Sequence, residues 1–397
     1  MKTTRRPRVV VLGGGYAGTM AANRIAGAGT EPAPDVVLVN PRPNFVHRIR
    51  LHQWATGTGE AERDFDQVLG PDVRLVVDSA ARIDVAGGRV ELAGGETLDY
   101  DHLVYAVGST ALSANTIPGA AEHGYPIGEW ETAERLRARL ADLADDASVT
   151  VIGGGLTGIE TAAELADAGR PVRLVCRGVL APSFGQRARR ATRRRLTKLG
   201  VEIMEDHRVH SIGPDTVTVS TGESTAILPS ATTVVAAGFG TPDLAAKSGL
   251  TTDRIGRLVT DEALTSVDDP RIVGAGDSVA PSGQPFRMSC QAANQLGPHA
   301  ADAVRARLAG ALPKPVALAF LGQCTSLGRH AAVVQPTRRD DSPLETAITG
   351  RTAAAIKELV CRGVILSLRL EGRHPGVTPS FGRPRELVEP PRLEATG

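Results

Sequence analysis

At 397 residues and 42% hydrophobic side chains, the chain is long enough for two or three domains, each with its own core. A net charge of +1 gives no global basis for binding nucleic acid, and four cysteines without a Cys-x-x-Cys spacing suit a reducing cytoplasm and argue against a zinc site. No apolar run approaches the roughly 18 residues of a spanning helix, and the basic start at Lys2, Arg5, Arg6 and Arg8 leads into too short an apolar run for a signal peptide.

The first element is a buried strand, Val9 to Leu12, that runs into Gly13-Gly14-Gly15-Tyr16-Ala17-Gly18 and then into small residues from Thr19 to Ala28. This is the opening βα unit of a dinucleotide-binding fold. Gly13 makes the tight turn, Gly15 lets the backbone approach a pyrophosphate, and Gly18 lets helix and strand pack closely. The helix N-terminus then offers free N–H groups and a favourable dipole to the phosphates. Asp35 to Asn40 reads as the second strand, with Asn40 where an acidic residue usually meets the adenosine ribose.

Pro41 to Gly59 reads as irregular and basic, with Arg42, Phe45, His47, Arg48, Arg50 and His52; a loop beside a pyrophosphate and plain surface charge explain it equally well. Strands of a meander follow at Val73–Val77, Ala80–Val85 and Arg89–Leu92, with glycine turns between them. The stretch from Asp99 to Ser109 is a buried strand delivering Ala106 and Gly108 to a nucleotide edge. A helix from Glu129 to Leu143 precedes the second glycine cluster, where Gly153, Gly155, Leu156, Thr157 and Gly158 repeat the first spacing. Its second strand, Pro171 to Cys176, also lacks a terminal acid and is followed by Arg177. An arginine-laden helix spans Gln186–Leu199, strands follow at Val201–His210 and Thr216–Ser220, and Thr232 to Gly238 repeats the glycine-ended strand. Ile272 to Asp277 is a short buried strand ending in Gly276 and a carboxylate. Phe286–Leu308 is a long helical pattern with Gln291 and Gln295 on one face. An amphipathic stretch, Thr352–Leu370, contains Gly363 as an interruption, and the proline-rich tail from Gly372 is expected to be disordered.

These residues resemble the flavoproteins with two dinucleotide-binding domains, and among them the type II NADH:quinone oxidoreductases. Four motifs carry the resemblance over about residues 8–335: Gly13–Gly18, the Tyr100–Ser109 strand, Gly153–Glu164, and Gly274-Ala-Gly-Asp277. The resemblance implies an α/β fold with two Rossmann-like dinucleotide-binding domains, the FAD domain discontinuous and the NAD(P) domain inserted, plus a small C-terminal α+β module. The expected boundaries are 1–115 with 255–312 for FAD, 116–254 for NAD(P)H, 313–371 for a module facing an interface or a membrane, and 372–397 for the tail.

It further implies FAD over Gly13, Gly14, Gly15, Tyr16, Ala17 and Gly18, with Asn40, Arg48, Ala106, Gly108, Gly276 and Asp277 around it. NAD(P)H would lie over Gly153, Gly155, Leu156, Thr157 and Gly158, with Gly238 and Arg177 nearby. The absent acid and the adjacent Arg177 favour NADPH over NADH, with both left open. Glu160 matches the family glutamate beside flavin and nicotinamide, although a carboxylate in the first turns of a helix also serves its dipole. Gln291 and Gln295 match a quinone-pocket motif in which the leading alanine has become Cys290; two satisfied structural amides are the alternative.

The helix after the first cluster has no cysteine, which excludes a dithiol reductase of that type, while Cys290 and Cys324 stay open as a thiol pair or as small buried hydrophobes. The expected activity is hydride transfer from NAD(P)H to FAD and on to a quinone or quinone-like acceptor. Two alternatives stand beside it: a reductase of a ferredoxin-like protein or specialised metabolite, and an NAD(P)H-sensing flavoprotein without turnover. The expected protein is a homodimer, cytoplasmic or peripheral on the inner face of the cell membrane, without nucleic-acid partners.

Overall fold

The computed structural model describes residues 5–27, 29, 32–111, 116–379 and 382–384. In β1 (Arg8–Leu12), Val9 to Leu12 are at most 1% exposed. A continuous apolar run suits a parallel strand covered on both faces. β1 pairs with β2 (Asp35–Asn40) on one side and β4 (His102–Tyr105) on the other. β3 (Val73–Val77) lies beyond β2, and the distant strand Ile272–Gly274 lies beyond β4, all parallel. The crossover from β1 to β2 is α1 (Tyr16–Ala26), buried from Tyr16 to Ile25.

The second sheet repeats the first. Its strands are β5 (Gly124–Pro126), β6 (Val149–Ile152), β7 (Val172–Val175), β8 (Glu202–Met204) and β9 (Thr232–Val235), parallel in the order β5-β9-β6-β7-β8. α2 (Leu156–Asp167) follows β6 as α1 follows β1, and α3 (Gln186–Lys198) links β7 to β8. The repeat extends to single bonds. Gly13 N donates to Val39 O and Gly153 N to Val175 O, each at 2.8 Å.

The second sheet is inserted between β4 and β10 (Ile272–Gly274), so the first unit is discontinuous, as expected. The chain after each glycine-ended strand meets the other: Thr110–Ala111 pairs antiparallel with Phe239–Gly240. α4 (Cys290–Leu308) then returns to lie on α1. There a Cβ on Gly297 would come within 2.4 Å of Ala17 O, so only glycine permits this approach.

An antiparallel sheet of β11 (Gly322–Ser326), β12 (Ala332–Pro336) and β13 (Ile348–Gly350) with α5 (Arg351–Arg373) forms the α+β module. Gly363 does not interrupt α5. A helical glycine costs about 1 kcal/mol relative to alanine, which burial of Cys361, Val364 and Leu368 on the inner face offsets. α5 is tied to α1 by Asn23, whose amide donates to Leu368 O (3.1 Å) and Val68 O (2.8 Å). Arg24 bonds both oxygens of Asp302 and the fully buried Glu371.

Three expectations about local structure change. Within Pro41–Gly59 there is a strand at Asn44–Val46, a 3-10 turn at Arg48–Arg50 and a helix at Leu51–Ala55; the burial of Phe45, Leu51 and Ala55 drives it, over too few residues to show a period. The strand expected over Val201–His210 breaks at Asp206, whose φ is +55°. The tail is ordered at its start: Glu371 accepts from Gly376 N (2.6 Å) and Thr378 N (2.9 Å). The rest of the expected tail, 380–381 and 385–397, lies outside the described residues.

Candidate active site

The first glycine turn is shaped by what surrounds it. A Cβ on Gly18 would sit 1.8 Å from Gly13 O, and one on Gly13 (φ +98°) 2.4 Å from Ala106 O. At Gly15, the N-cap of α1, a Cβ would meet nothing within 4 Å, so the backbone there faces open space. Closed on the protein side and open on the other, with no acidic residue in the first turn of α1, this turn fits a dinucleotide pyrophosphate. Ala17 packs against Gly276, where a Cβ would lie 3.0 Å from the Ala17 Cβ.

Asn40, at the end of β2, is buried. Its Oδ1 accepts from Gly14 N (2.9 Å) and its Nδ2 donates to Arg42 O (2.7 Å), so the side chain latches the glycine turn. Tyr16 is buried, with its hydroxyl 3.0 Å from His47 Nδ1 and accepting from Ile49 N at 3.3 Å. Burial holds His47 neutral, with its pKa lowered to about 3. Beyond β4, Arg48 donates to Ser109 Oγ (3.3 Å) and Gly128 O (3.0 Å). Ser109 Oγ donates to Asp277 Oδ2 (2.9 Å), and Asp277 Oδ1 accepts from Ser289 N (3.1 Å). Ser289 caps α4 by accepting from Ala292 N. The glycine turn, Gly108 and its neighbour Ser109, Arg48, Asp277 and the α4 N-terminus thus form one cradle.

The second turn is built alike. A Cβ on Gly158 would lie 1.9 Å from Gly153 O, whereas Gly155 faces open space ahead of Leu156 and Thr157. Cys176 takes the place of Asn40: it is fully buried, and a Cβ on Gly154 would sit 2.6 Å from its Sγ. Burial pushes that thiol up to about 12, so it is an inert floor to the turn. Arg177 is exposed. Gly238 (φ +77°) matches Gly108 (φ +73°), each three residues past the end of its strand, β9 and β4.

The junction of the units with the C-terminal module holds an ion pair that sequence reasoning missed. Glu160 on α2 is 7% exposed, and its Oε1 accepts from Lys357 Nζ at 2.9 Å and from Ser326 N at 3.0 Å. His52 Nδ1 lies 3.8 Å from Glu160 Oε2, and His52 Nε2 lies 3.4 Å from Ser326 Oγ. Burial works against ionising Glu160, but Lys357 and then His52 outweigh it and hold the carboxyl below its usual range. Burial likewise opposes the Lys357 charge, yet Glu160 keeps its pKa raised. Burial lowers His52 to about 4. Burial pushes the thiol of Cys290, the first residue of α4, up to about 11, with Lys357 opposing the shift.

The two glutamines are not free groups in a pocket. Gln295 donates to Ala319 O and to Gln291 O, both at 3.1 Å, and accepts from Ala319 N at 3.3 Å. Gln291, with its amide oriented by the hydrogen-bond network, donates to Gly322 O (3.1 Å) and accepts from Leu321 N (3.0 Å). Both amides fasten α4 to the segment leading into β11. In this arrangement both amides have backbone partners. For the Glu160–Lys357 pair, the signal that was available is a lysine on the inward face of the amphipathic stretch 353–370.

Residues 7–297 match the pyridine nucleotide-disulphide oxidoreductase family. The chain belongs to that family. As a pyridine nucleotide-disulphide oxidoreductase it works with a flavin and NAD(P)H, yet α1 carries no cysteine and all four cysteines are free. It is similar to an NADH dehydrogenase-like protein of Mycobacterium tuberculosis, 34% identical over 74% of this chain and 78% of the relative. It is also similar to the demethylphylloquinone reductase of Synechocystis sp., 27% identical over 90% of this chain and 92% of the relative. Among solved structures it shares the fold of NDH2 from Plasmodium falciparum in complex with NADH, with a TM-score of 0.78, 15% identity, and coverage of 93% of this chain and 97% of that one.

Proposed function

We infer that the protein takes hydride from NAD(P)H onto FAD and passes the electrons to a quinone or quinone-like organic acceptor. The observation that carries this reading is the Glu160–Lys357 pair, a buried charge-assisted hydrogen bond where α2 of the second dinucleotide unit meets α5 of the C-terminal module. The quinone chemistry in the names of the relatives supports the same acceptor class.

The residues divide the work. Gly13, Gly15 and Gly18 with the α1 N-terminus would hold the FAD pyrophosphate, while Arg48 and Asp277 would line its remaining length. Gly153, Gly155, Gly158 and the α2 N-terminus would hold the nicotinamide dinucleotide. Once bound, FAD supplies the two-electron chemistry between donor and acceptor. The N-terminus of α4, with no acid in its first turn, favours negative charge next to it. Lys357 offers N–H groups to an acceptor oxygen, and Glu160 keeps that ammonium charged and aimed. Steady-state turnover with menadione tests the reading: NAD(P)H oxidation dependent on the quinone supports it, and none with any quinone overturns it.

Two finer readings belong to the same account. NADPH is favoured, because no acid ends β7, Arg177 is exposed beside Gly178, and Glu205 is neutralised by Arg193 and by Leu180 N. Peripheral membrane contact is favoured by the outer face of α5, where Leu359 (71%), Leu366 (54%) and Leu370 (38%) are exposed between Arg351 and Arg373. No helix among the described residues is long and apolar enough to cross a membrane.

A further inference from the structure

One turn beyond Glu160 on α2 lies a second buried carboxylate that the reading above leaves unused. Glu164 is 1% exposed, and its Oε2 has no hydrogen-bond partner among the described residues. Residues four apart share a helix face with their Cβ atoms about 5–6 Å apart. Two segments run along that face and contact both carboxylates. On one side, His52 approaches Glu160 and Thr58 donates to Glu164 Oε1. On the other, Ser326 N donates to Glu160, and Arg329 Nη1 lies 3.6 Å from Glu164 Oε1. Arg329 is 47% exposed, so this end of the row reaches solvent, while the Glu160 end reaches Lys357.

The stoichiometry of the proposed reaction calls for one proton from solvent. Hydride brings two electrons and one proton, but a quinone becomes a hydroquinone by gaining two electrons and two protons, so one proton must come from solvent. When Lys357 gives an N–H proton to an acceptor oxygen, that N–H bond breaks, an O–H bond forms, and Glu160 is left as an uncompensated buried anion. Such a charge draws a proton strongly.

We propose that Glu164 supplies the proton that recharges Glu160 and Lys357, so that the solvent proton of the product enters along α2 from the Arg329 side. Glu164 O–H gives its proton to the Glu160 carboxylate, Glu160 passes it to the Lys357 amine, and Glu164 is reprotonated from water beside Arg329. The groups facing Glu164 are Thr58, Arg329, Asp167 and Glu160. Burial raises its pKa, and Thr58 and Arg329 offset that only in part, so Glu164 takes up a proton more readily than a solvent-exposed glutamate does. Glu164 is a relay residue: it acts through Glu160 and touches neither donor nor acceptor.

This proposal rests on the quinone reading, and the test separates the two. In the flavin-loaded full chain, Glu164→Gln leaves flavin reduction by NAD(P)H unchanged. Its reoxidation by menadione slows about tenfold or more, with a larger solvent deuterium isotope effect, within the range of general acid catalysis. Glu164→Asp, which keeps the acid, restores most of the rate. Independently of turnover, infrared spectra of the wild type titrated toward acid show the carbonyl band of a buried carboxylic acid appearing at higher pH than for an exposed glutamate, and this band is lost in Glu164→Gln. Equal reoxidation rates and isotope effects in wild type and Glu164→Gln overturn the relay while the quinone reading stands, and absence of the infrared band also overturns it. Wild-type reduced flavin that menadione does not reoxidise overturns both.

Discussion

Lys357 Nζ lies 2.9 Å from Glu160 Oε1, joining a helix near the end of the chain to the helix of the second glycine cluster. Neither side chain is more than 13% exposed. Removing one partner strands the other charge in a site that has already stripped its water. Lys357→Met and Glu160→Gln are each expected to destabilise the fold by about 3–5 kcal/mol, while the double variant recovers part of that loss. Urea unfolding of all four proteins as a double-mutant cycle measures the coupling.

Acid should unfold the protein in two stages. Burial holds His52 at about 4 and His47 at about 3 in the fold, whereas an unfolded histidine titrates near about 6.5. Their neutral state contributes stability that is complete above about pH 6.5 and is lost as pH falls toward the folded values, because the unfolded chain then binds protons that the fold refuses. Glu160, with its pKa lowered, adds stability present above an unfolded value of about 4.5 and lost below it. Chemical unfolding followed against pH is expected to show a slope beginning near pH 6.5, and His52→Gln should flatten its upper stage.

Nicotinamide choice should turn on Arg177. A charge-assisted bond to a 2′-phosphate is worth roughly 1.5–3 kcal/mol, so Arg177→Ala is expected to lower kcat/KM for NADPH by about tenfold or more while changing NADH little. Steady-state kinetics with both nucleotides checks this, and equal losses for both would remove the case for a phosphate contact.

Gln295 should behave as a structural residue. Gln295→Ala leaves Ala319 N and Ala319 O without their partner, a loss of about 1–3 kcal/mol in unfolding free energy. The variant that does fold is expected to keep its KM for menadione within about twofold.

Much of the architecture is legible in the sequence because its determinants are local. The Val9–Leu12 and Val149–Ile152 runs need no partner to announce buried strands, and the glycine spacings specify where a Cβ cannot go. Asn40 and Cys176 were legible as positions but not as roles, since only the folded turn reveals that each side chain points into its own glycine loop. Gln291 and Gln295 share a helix face by spacing alone, but the segment from Ala319 to Gly322 that occupies their amides comes from another part of the chain. Lys357 is legible as a lysine on the inward face of the 353–370 stretch, but its partner Glu160 is not, because α2 comes from another part of the chain.

The outward face of α5 yields a prediction of its own. Replacing Leu359 and Leu366 with glutamate removes two exposed apolar side chains and adds negative charge. The variant is expected to lose cosedimentation with anionic liposomes while keeping menadione turnover, because neither residue reaches the site. If it sediments with liposomes as the wild type does but changes oligomeric state, the stripe meets a second copy of the chain instead.

The central claim is that electrons pass from NAD(P)H through a flavin beside Glu160 and Lys357 to a quinone-type acceptor. Anaerobic stopped-flow spectroscopy of the flavin-loaded protein tests it most directly. The account predicts that NADPH or NADH bleaches the flavin and that menadione then restores the oxidised spectrum within the turnover time. A flavin that neither nucleotide bleaches, or a reduced flavin that no quinone reoxidises, would contradict it.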